Sequence, residues 1–215
     1  MVAELVSTWV SGWAVSRGTP QPVERPWGFF IEVGAPGHVA RHVLPDADGP
    51  SVRGAAASVT VPDTWLKVPV EPELLAHWLT RDWVVDEEDP GHLMAVDLHA
   101  TEPIPPGGYT ASVEFRAGVT YVRVCDAAGE TAANGQLALV GQAAVFDRIA
   151  TEEAHRRRGL GNFVMRALAD HAVAEGAILG VLGATDDGRA LYETLGWKAH
   201  APLTGCVYRP QALSG

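Results

Sequence analysis

A run of prolines and glycines near the middle of the chain most constrains how this sequence can fold. Residues 101–108 read Thr-Glu-Pro-Ile-Pro-Pro-Gly-Gly, and a regular helix or strand does not continue through three prolines and two glycines. Six of the seven tryptophans precede this run, so the two halves also differ in composition. A chain of 215 residues suits one large domain or two small ones. We therefore expect an N-terminal part at 1–105 and a C-terminal part at 106–215.

The balance of charged and apolar residues excludes several classes of protein. There are 26 acidic residues against 16 Lys and Arg residues, and the net charge of −10 argues against a dedicated binder of nucleic acid or anionic membranes. The same balance faintly favours a cationic partner. No charge-free run reaches the ~18 apolar residues of a membrane span, and Glu4 stands where a secretory signal would carry a basic residue. We expect a mature cytoplasmic protein, and its assembly stays open, a homodimer included.

Cysteine and histidine usage points to neither a disulfide framework nor a metal centre. Cys125 and Cys206 cannot staple a chain of this length and suit a reducing compartment. No two histidines fall at ligand spacing together with a carboxylate, so we expect no metal.

Hydrophobic periodicity predicts a mixed order of helices and strands in both halves. The first half is predicted to contain helices over 2–15, 52–59 and 73–79 and strands over 29–33, 39–44, 65–70, 83–85 and 93–98. The second half is predicted to contain strands over 113–116, 119–124, 136–140, 143–151, 178–182, 197–199 and 205–208 and helices over 160–176 and 189–195. From residue 29 onward the order in the first half echoes that of the second. The first half is therefore a candidate for a degenerate repeat of the α/β fold predicted for the second half.

The segment most suited to chemistry lies between a predicted strand and an amphipathic helix. Residues 155–162 read His-Arg-Arg-Arg-Gly-Leu-Gly-Asn. A helix start exposes unpaired backbone N–H groups, and glycines there let a phosphate approach without obstruction by a Cβ. The Gly-Lys-Ser/Thr ending of a P-loop is missing, and Val164 stands where a dinucleotide fingerprint needs a third small residue. The segment therefore predicts a pyrophosphate site of another kind, against the alternative of a solvated basic patch.

Two ordered motifs carry a resemblance to a known family. Arg156, Gly159 and Gly161 match the Arg/Gln-x-x-Gly-x-Gly/Ala signature of the GCN5-related N-acetyltransferases. Residues 190–197 read Ala-Leu-Tyr-Glu-Thr-Leu-Gly-Trp, which is similar to the family's helix ending in Tyr-Glu-x-Leu-Gly-Phe. The resemblance covers residues 109–210. It implies the acyl-CoA N-acyltransferase fold, a mostly antiparallel mixed sheet flanked by helices.

The resemblance also implies an activity, with acetyl-CoA as co-substrate. The acetyl group would pass by direct attack to a primary amine of a small molecule or peptide. The alternative is a non-catalytic acyl-CoA sensor or interaction module, because the family's frequent Asn seven residues before the Tyr is Thr185 here.

The family's binding residues carry over by position. The pyrophosphate cradle maps to Arg156, Arg157, Arg158, Gly159, Leu160, Gly161 and Asn162. The pantetheine, which pairs like an extra strand, maps to Ile149, Ala150 and Thr151. At the end of the first predicted helix, residues 12–13 and 16–18 either line the substrate groove or anchor the helix.

Two side chains are candidates for proton transfer. A primary amine is almost wholly protonated at neutral pH, so a base or a water relay must take its proton before attack. Asp147 is predicted to share a strand face with Val145 and Ile149 and to act as that base, or else to form an ion pair with Arg148 or Arg123. Tyr192 is predicted to hydrogen-bond the departing thiolate, or else to be a core residue.

Overall fold

A computed structural model describes residues 1–86 and 91–210. The helices are α1 (Val2–Arg17), α2 (Gly49–Ser58), α3 (Pro72–Trp78), α4 (Leu160–Ala174) and α5 (Asp186–Thr194). The strands of the first half are β1 (Val23–Arg25), β2 (Gly28–Ala35), β3 (His38–Val43), β4 (Thr64–Val68), β5 (Trp83–Val85) and β6 (His92–Asp97). Those of the second half are β7 (Thr110–Arg116), β8 (Val119–Cys125), β9 (Thr131–Val140), β10 (Ala143–Thr151), β11 (Leu179–Ala184), β12 (Lys198–Pro202) and β13 (Thr204–Tyr208).

The strands form two sheets of similar topology. Sheet A has the order β1-β2-β3-β4-β13-β5, and sheet B has the order β12-β6-β11-β10-β9-β8-β7. One neighbouring pair in each sheet is parallel, β3 with β4 and β10 with β11, and the other pairs are antiparallel. The predicted fold class, a mixed and mostly antiparallel sheet flanked by helices, is confirmed.

The two halves of the chain exchange one strand each. β6 precedes the proline-rich run but lies in sheet B between β12 and β11. β13 follows that run but lies in sheet A between β4 and β5. The sheets therefore do not divide at residue 105, and the proposed division of the chain stays a prediction about its sequence.

Helix α1 lies between the two sheets. Its buried side chains, Trp9 and Trp13 among them, share one apolar cluster with Ile31 and Val43 of sheet A and with Val145 of sheet B. A second cluster joins sheet B to α4 and α5, and a third joins sheet A to α2 and α3. The layers are thus α4 and α5, sheet B, α1, sheet A, and α2 with α3.

A glycine lets α1 approach sheet B closely. A Cβ placed on Gly12 would overlap the side chain of Val145 on β10, so a larger residue at position 12 would push the helix away. This contact brings the C-terminal end of α1 over the middle of sheet B. Within the described residues, no helix is long and apolar enough to cross a membrane.

Candidate active site

The parallel strands of sheet B separate part of the way along their length. β10 pairs with β11 only from Ala143 to Val145, whereas its antiparallel pairing with β9 continues to Thr151. On the other side of the gap, β11 continues to Ala184 in register with β6. Residues 146–151 therefore have an open side toward β11. An extended ligand can enter there and pair with strand backbone.

A β-bulge shapes this open strand. The register of β10 on β9 shifts between Asp147 and Ala150, and Arg148 has a φ of 52°. The extra residue turns Ile149 toward α4, where it packs against the core cluster of that helix. Val145 lies on the opposite face, against α1. The prediction that Ile149 shares a face with Val145 and Asp147 is therefore wrong, because a strict alternation does not survive the bulge.

Helix α4 begins beside the end of the open strand with free backbone donors. Phe163 is the first residue to close a helical turn, its N–H donating to the carbonyl of Gly159 at 3.0 Å. The N–H groups of residues 160–162 have no acceptor within the described chain. Gly159 has a φ of 79° and, on the side where a Cβ would be, nothing nearer than Pro106 at 4.0 Å. The helix start is thus uncovered and carries the positive end of the helix dipole.

Three exposed arginines precede this helix start. Arg158 donates to the hydroxyl of Tyr109 at 3.0 Å, and Arg156 reaches the carbonyl of Thr151 at 3.5 Å. Arg157 makes no hydrogen bond or ion pair to any described residue. The arrangement fits an anion, and the predicted cradle of residues 156–162 stays a prediction.

The second glycine of the signature has a different role from the first. A Cβ on Gly161 would lie 2.9 Å from the Cδ2 atom of Leu191 on α5 and 3.7 Å from the Thr151 hydroxyl. Gly161 therefore allows α4 and α5 to approach each other. Gly159 is the position at which a side chain would enter open space at the helix start.

Asp147 lies at the mouth of the opening and is held by α1. Arg17 donates to both carboxylate oxygens, with Nη2 2.8 Å from Oδ1, and the Ser16 hydroxyl donates to Oδ2 at 2.8 Å. Gln136, opposite Asp147 on β9, donates to the Ser16 carbonyl at 2.6 Å. The Asp147 side chain is 11% exposed. The expected alternative, an ion pair, does form, but with Arg17 rather than with Arg148 or Arg123.

Tyr192 lies on α5, on the other side of the gap. The residue is 7% exposed, and its ring packs against Trp197 at a centre-to-centre distance of 6.2 Å. Burial raises the pKa of Tyr192 to about 12, and the negative charge of Asp147 acts in the same direction. Asp147 is thus near enough for its charge to act on the tyrosine hydroxyl. The ring is a core element as well as a candidate donor.

Thr185, which stands where the family often has Asn, has a local structural role. The Thr185 hydroxyl accepts a hydrogen bond from the Gly188 N–H at 3.2 Å and caps α5. A threonine serves this purpose nearly as well as an asparagine. Within residues 1–86 and 91–210, no three His, Cys, Asp or Glu side chains come together to hold a metal ion.

A group of cationic and aromatic side chains adjoins the opening. The guanidinium carbon of Arg41 on β3 lies 4.4 Å from the centre of the Trp13 ring, and Arg41 Nε donates to His38 Nε2 at 3.2 Å. Arg17 lies 5.5 Å from the same Trp13 ring. His38 also packs on Trp65, with ring centres 5.6 Å apart. We call these residues the Arg41 cluster: Trp13, Arg17, His38, Arg41 and Trp65.

Sequence reasoning did not single out Arg41, although a signal was present. Residues 39–44 read Val-Ala-Arg-His-Val-Leu, and an arginine inside a buried apolar strand is rare unless something pairs with it.

The comparisons with known proteins agree with this geometry. The model of the acetyltransferase (GNAT) family matches residues 72–197. A GCN5-related N-acetyltransferase from Kribbella flavida has a TM-score of 0.67 at 19% identity, over 100% of this chain and 98% of its own. A putative GNAT acetyltransferase from Novosphingobium aromaticivorans DSM 12444 has a TM-score of 0.60 at 18% identity, over 96% and 99%.

A tandem protein also shares the fold. A tandem GNAT protein from the clavulanic acid biosynthesis pathway has a TM-score of 0.54 at 12% identity, over 76% of this chain and 69% of its own. No curated protein matches significantly. At these identities the solved structures show the fold, and the family model, which covers more than half of the chain, shows the family. The chain therefore belongs to the acetyltransferase (GNAT) family.

Proposed function

We propose that this protein transfers the acetyl group of acetyl-CoA to a primary amine of a small molecule or peptide by direct attack. The observation that carries the proposal is the coincidence of three features at one place. The gap between β10 and β11, the uncovered start of α4 and the buried hydroxyl of Tyr192 all lie around residues 146–151.

The residues at this place fit acetyl-CoA. The free N–H groups of residues 160–162 and the three arginines before them would hold the pyrophosphate. The open side of Ile149, Ala150 and Thr151 would pair with the amide groups of the pantetheine. When bound, acetyl-CoA supplies an acetyl thioester, which is reactive toward a neutral amine.

The Asp147 carboxylate already accepts three hydrogen bonds, two from Arg17 and one from Ser16. A carboxylate has about four acceptor positions, so one remains for the acceptor amine or for an ordered water. We therefore assign Asp147 the task of orienting the amine or the water that takes its proton. The Ser16–Gln136 contact keeps α1, and with it Arg17, in place for this task.

Tyr192 donates a hydrogen bond to the leaving sulfur rather than its proton. Burial raises its pKa to about 12, which is above that of a thiol, so complete transfer of the proton to a thiolate would be uphill. A hydrogen bond to the developing negative charge requires no full transfer. Such a bond strengthens as charge builds on sulfur, so it stabilises the transition state more than the bound substrate.

The test is thiol release from acetyl-CoA across a panel of amines. We expect release that depends on the amine, together with calorimetric binding of acetyl-CoA to the protein alone. Binding without release for any amine would contradict the proposal and would favour an acyl-CoA sensor. Absence of acetyl-CoA binding would contradict the assigned groove itself.

A further inference from the structure

Among residues 1–86 and 91–210, the charge of Arg41 has no carboxylate partner of its own. The residue is 8% exposed, and Asp147, the acid whose charge acts on it, is in its own ion pair with Arg17. The bond from Arg41 goes to His38, and a ring nitrogen that accepts a hydrogen bond must be unprotonated. Burial lowers the pKa of His38 to about 4, so at neutral pH the imidazole brings no charge of either sign. A guanidinium this deeply buried normally has an anionic partner.

The terminal nitrogens of Arg41 donate no hydrogen bond to any described group. Among the described residues, no fully buried side-chain nitrogen or oxygen lacks a partner. The terminal nitrogens of Arg41 are therefore not completely enclosed by the protein, although the residue as a whole is buried. Trp13 packs against one side of the guanidinium and limits the directions in which the planar fork can point.

Side-chain contacts connect Arg41 to the proposed site of acetyl transfer. Arg17 contacts both the Asp147 carboxylate and the Trp13 ring that covers Arg41. The Arg41 guanidinium therefore lies against the same Trp13 ring as the Arg17–Asp147 pair, close to where the acceptor amine would be oriented.

We infer that Arg41 binds a carboxylate of the acceptor, so that the acceptor is an amino acid or a similar molecule with both an amine and a carboxylate. This inference rests on the proposed function and names its substrate class. The guanidinium has no carboxylate partner among the described residues and is positioned by Trp13 and His38, and its planar fork matches the two oxygens of a carboxylate. The net charge of −10 does not oppose it, because Arg17 and Arg41 outnumber Asp147 locally.

The first experiment compares acceptors that differ only in the carboxylate. Glycine, methionine, phenylalanine and glutamate are each assayed against the corresponding amide or decarboxylated amine, with acetyl-CoA saturating. We expect kcat/KM to be at least about 30-fold higher for the best carboxylated acceptor than for its matched amide, which is the lower end for loss of a partner from a buried charge pair. Equal rates for amide and acid, or faster rates for the amide, would overturn the inference and leave acetyl transfer standing.

The second experiment tests the residue. Arg41→Gln should remove the preference for the acid while leaving acetyl-CoA affinity and activity on the amide within about twofold. Arg41→Lys keeps the charge without the planar guanidinium, so its preference for the acid should lie between that of the wild type and that of Arg41→Gln. If Arg41→Gln does not fold, Arg41→Lys is the variant that tests the inference. Arg53→Gln, an exposed arginine of α2, is the matched control and should change nothing. An unaltered acid preference in Arg41→Gln would overturn the assignment.

A third measurement separates this inference from the proposed function. The acetylated products, N-acetylglycine, N-acetylmethionine, N-acetylphenylalanine and N-acetylglutamate, are titrated calorimetrically together with their amides, and no turnover is needed. We expect at least one acid to bind, its amide to bind at least about 30-fold more weakly, and Arg41→Gln to abolish the difference. If acids bind in this way but no amine is acetylated, the carboxylate site stands and the transferase proposal fails. If no acid binds better than its amide, the carboxylate site is wrong.

Discussion

Sheets A and B have the same strand order around their parallel pairs, yet only one of them opens. In sheet A the parallel register runs from Ala40 with Thr64 to Val43 with Lys67, and the next residue, Leu44, donates to the Lys67 carbonyl at 3.0 Å. In sheet B the register ends at Val145, and residues 146–151 stay open. A groove for an extended ligand therefore exists in sheet B, whereas hydrogen bonds close the corresponding place in sheet A.

The helices that connect the two strands of each parallel pair, α2 and α4, differ in the same sense. The N-terminus of α4 begins at Gly159 and leaves its N–H groups free. The N-terminus of α2 is capped by Asp48, whose carboxylate accepts from the Ser51 N–H at 2.8 Å, and this bond lowers the pKa of Asp48. Asp48 thus supplies the negative charge that a phosphate would otherwise bring. The same strand order therefore occurs twice in the described chain, and the acetyl-CoA site proposed above lies at the second occurrence, where the helix start is uncovered.

The largest expected effect is the loss of turnover when the hydroxyl of Tyr192 is removed, compared with removal of the hydroxyl of Tyr208 in sheet A. Tyr192→Phe keeps the ring and its packing, so the melting temperature should change little while turnover falls ~100- to 1,000-fold, as expected for the loss of one hydrogen-bond donor to a developing charge. Tyr208→Phe, on β13 in sheet A, is the matched control and should leave turnover unchanged. A variant of Tyr192 that melts several degrees lower but keeps its turnover would make this tyrosine a core residue alone.

The next largest effect is the loss of folding stability at acid pH, which we expect to originate from a buried histidine in sheet A. The Trp27 indole donates to His42 Nδ1 at 3.1 Å, and burial lowers the pKa of His42 to about 4. Its unfolded pKa is about 6.5, so the unfolded chain binds more protons between these values. The stability from neutral His42 is therefore present above pH 6.5 and lost as the pH falls to 4, by up to about 3 kcal/mol.

The measurement is chemical unfolding from pH 7 to pH 4. His42→Asn keeps an acceptor for Trp27 and should flatten the loss, while the exposed His200→Asn on sheet B should not. His38, with a pKa also lowered to about 4 by burial, adds to the loss with the same sign. An unchanged pH dependence in His42→Asn would mean that acid unfolding starts elsewhere.

Much of the fold could be predicted from sequence, because most elements bury one face and so show a clear period. β1 was missed because Val23–Arg25 is exposed along its whole length and has no apolar pattern. The strand exchange was not predictable either, because the sequence of an apolar strand such as β6 does not indicate which sheet it will join. The signature loop was found from its glycines and arginines. The Ser16 and Arg17 contacts to Asp147 depend on residues 130 or more positions apart, which no local pattern reports.

A smaller effect concerns one exposed arginine near each helix start, Arg157 before α4 and Arg53 within α2. Arg157→Gln should lower acetyl-CoA affinity by about 10-fold, with the difference shrinking as salt screens the pyrophosphate. Arg53→Gln on α2 should leave the affinity unaltered at every salt concentration. Calorimetry at two ionic strengths makes the comparison, and equal effects of the two variants would point to general electrostatic attraction instead of a built cradle.

The central claim is that the repeated strand order provides a single acetyl-CoA site, and its most direct test is the stoichiometry of acetyl-CoA binding. Calorimetric titration should give one site per chain. Gly159→Val should abolish it, because a β-branched side chain is strained at a φ of 79° and enters the space at the start of α4. Asp48→Ala, which removes the corresponding cap of α2, should lower the melting temperature slightly and leave both affinity and stoichiometry unchanged. Two sites per chain, or undiminished binding in a folded Gly159→Val variant, would contradict the account.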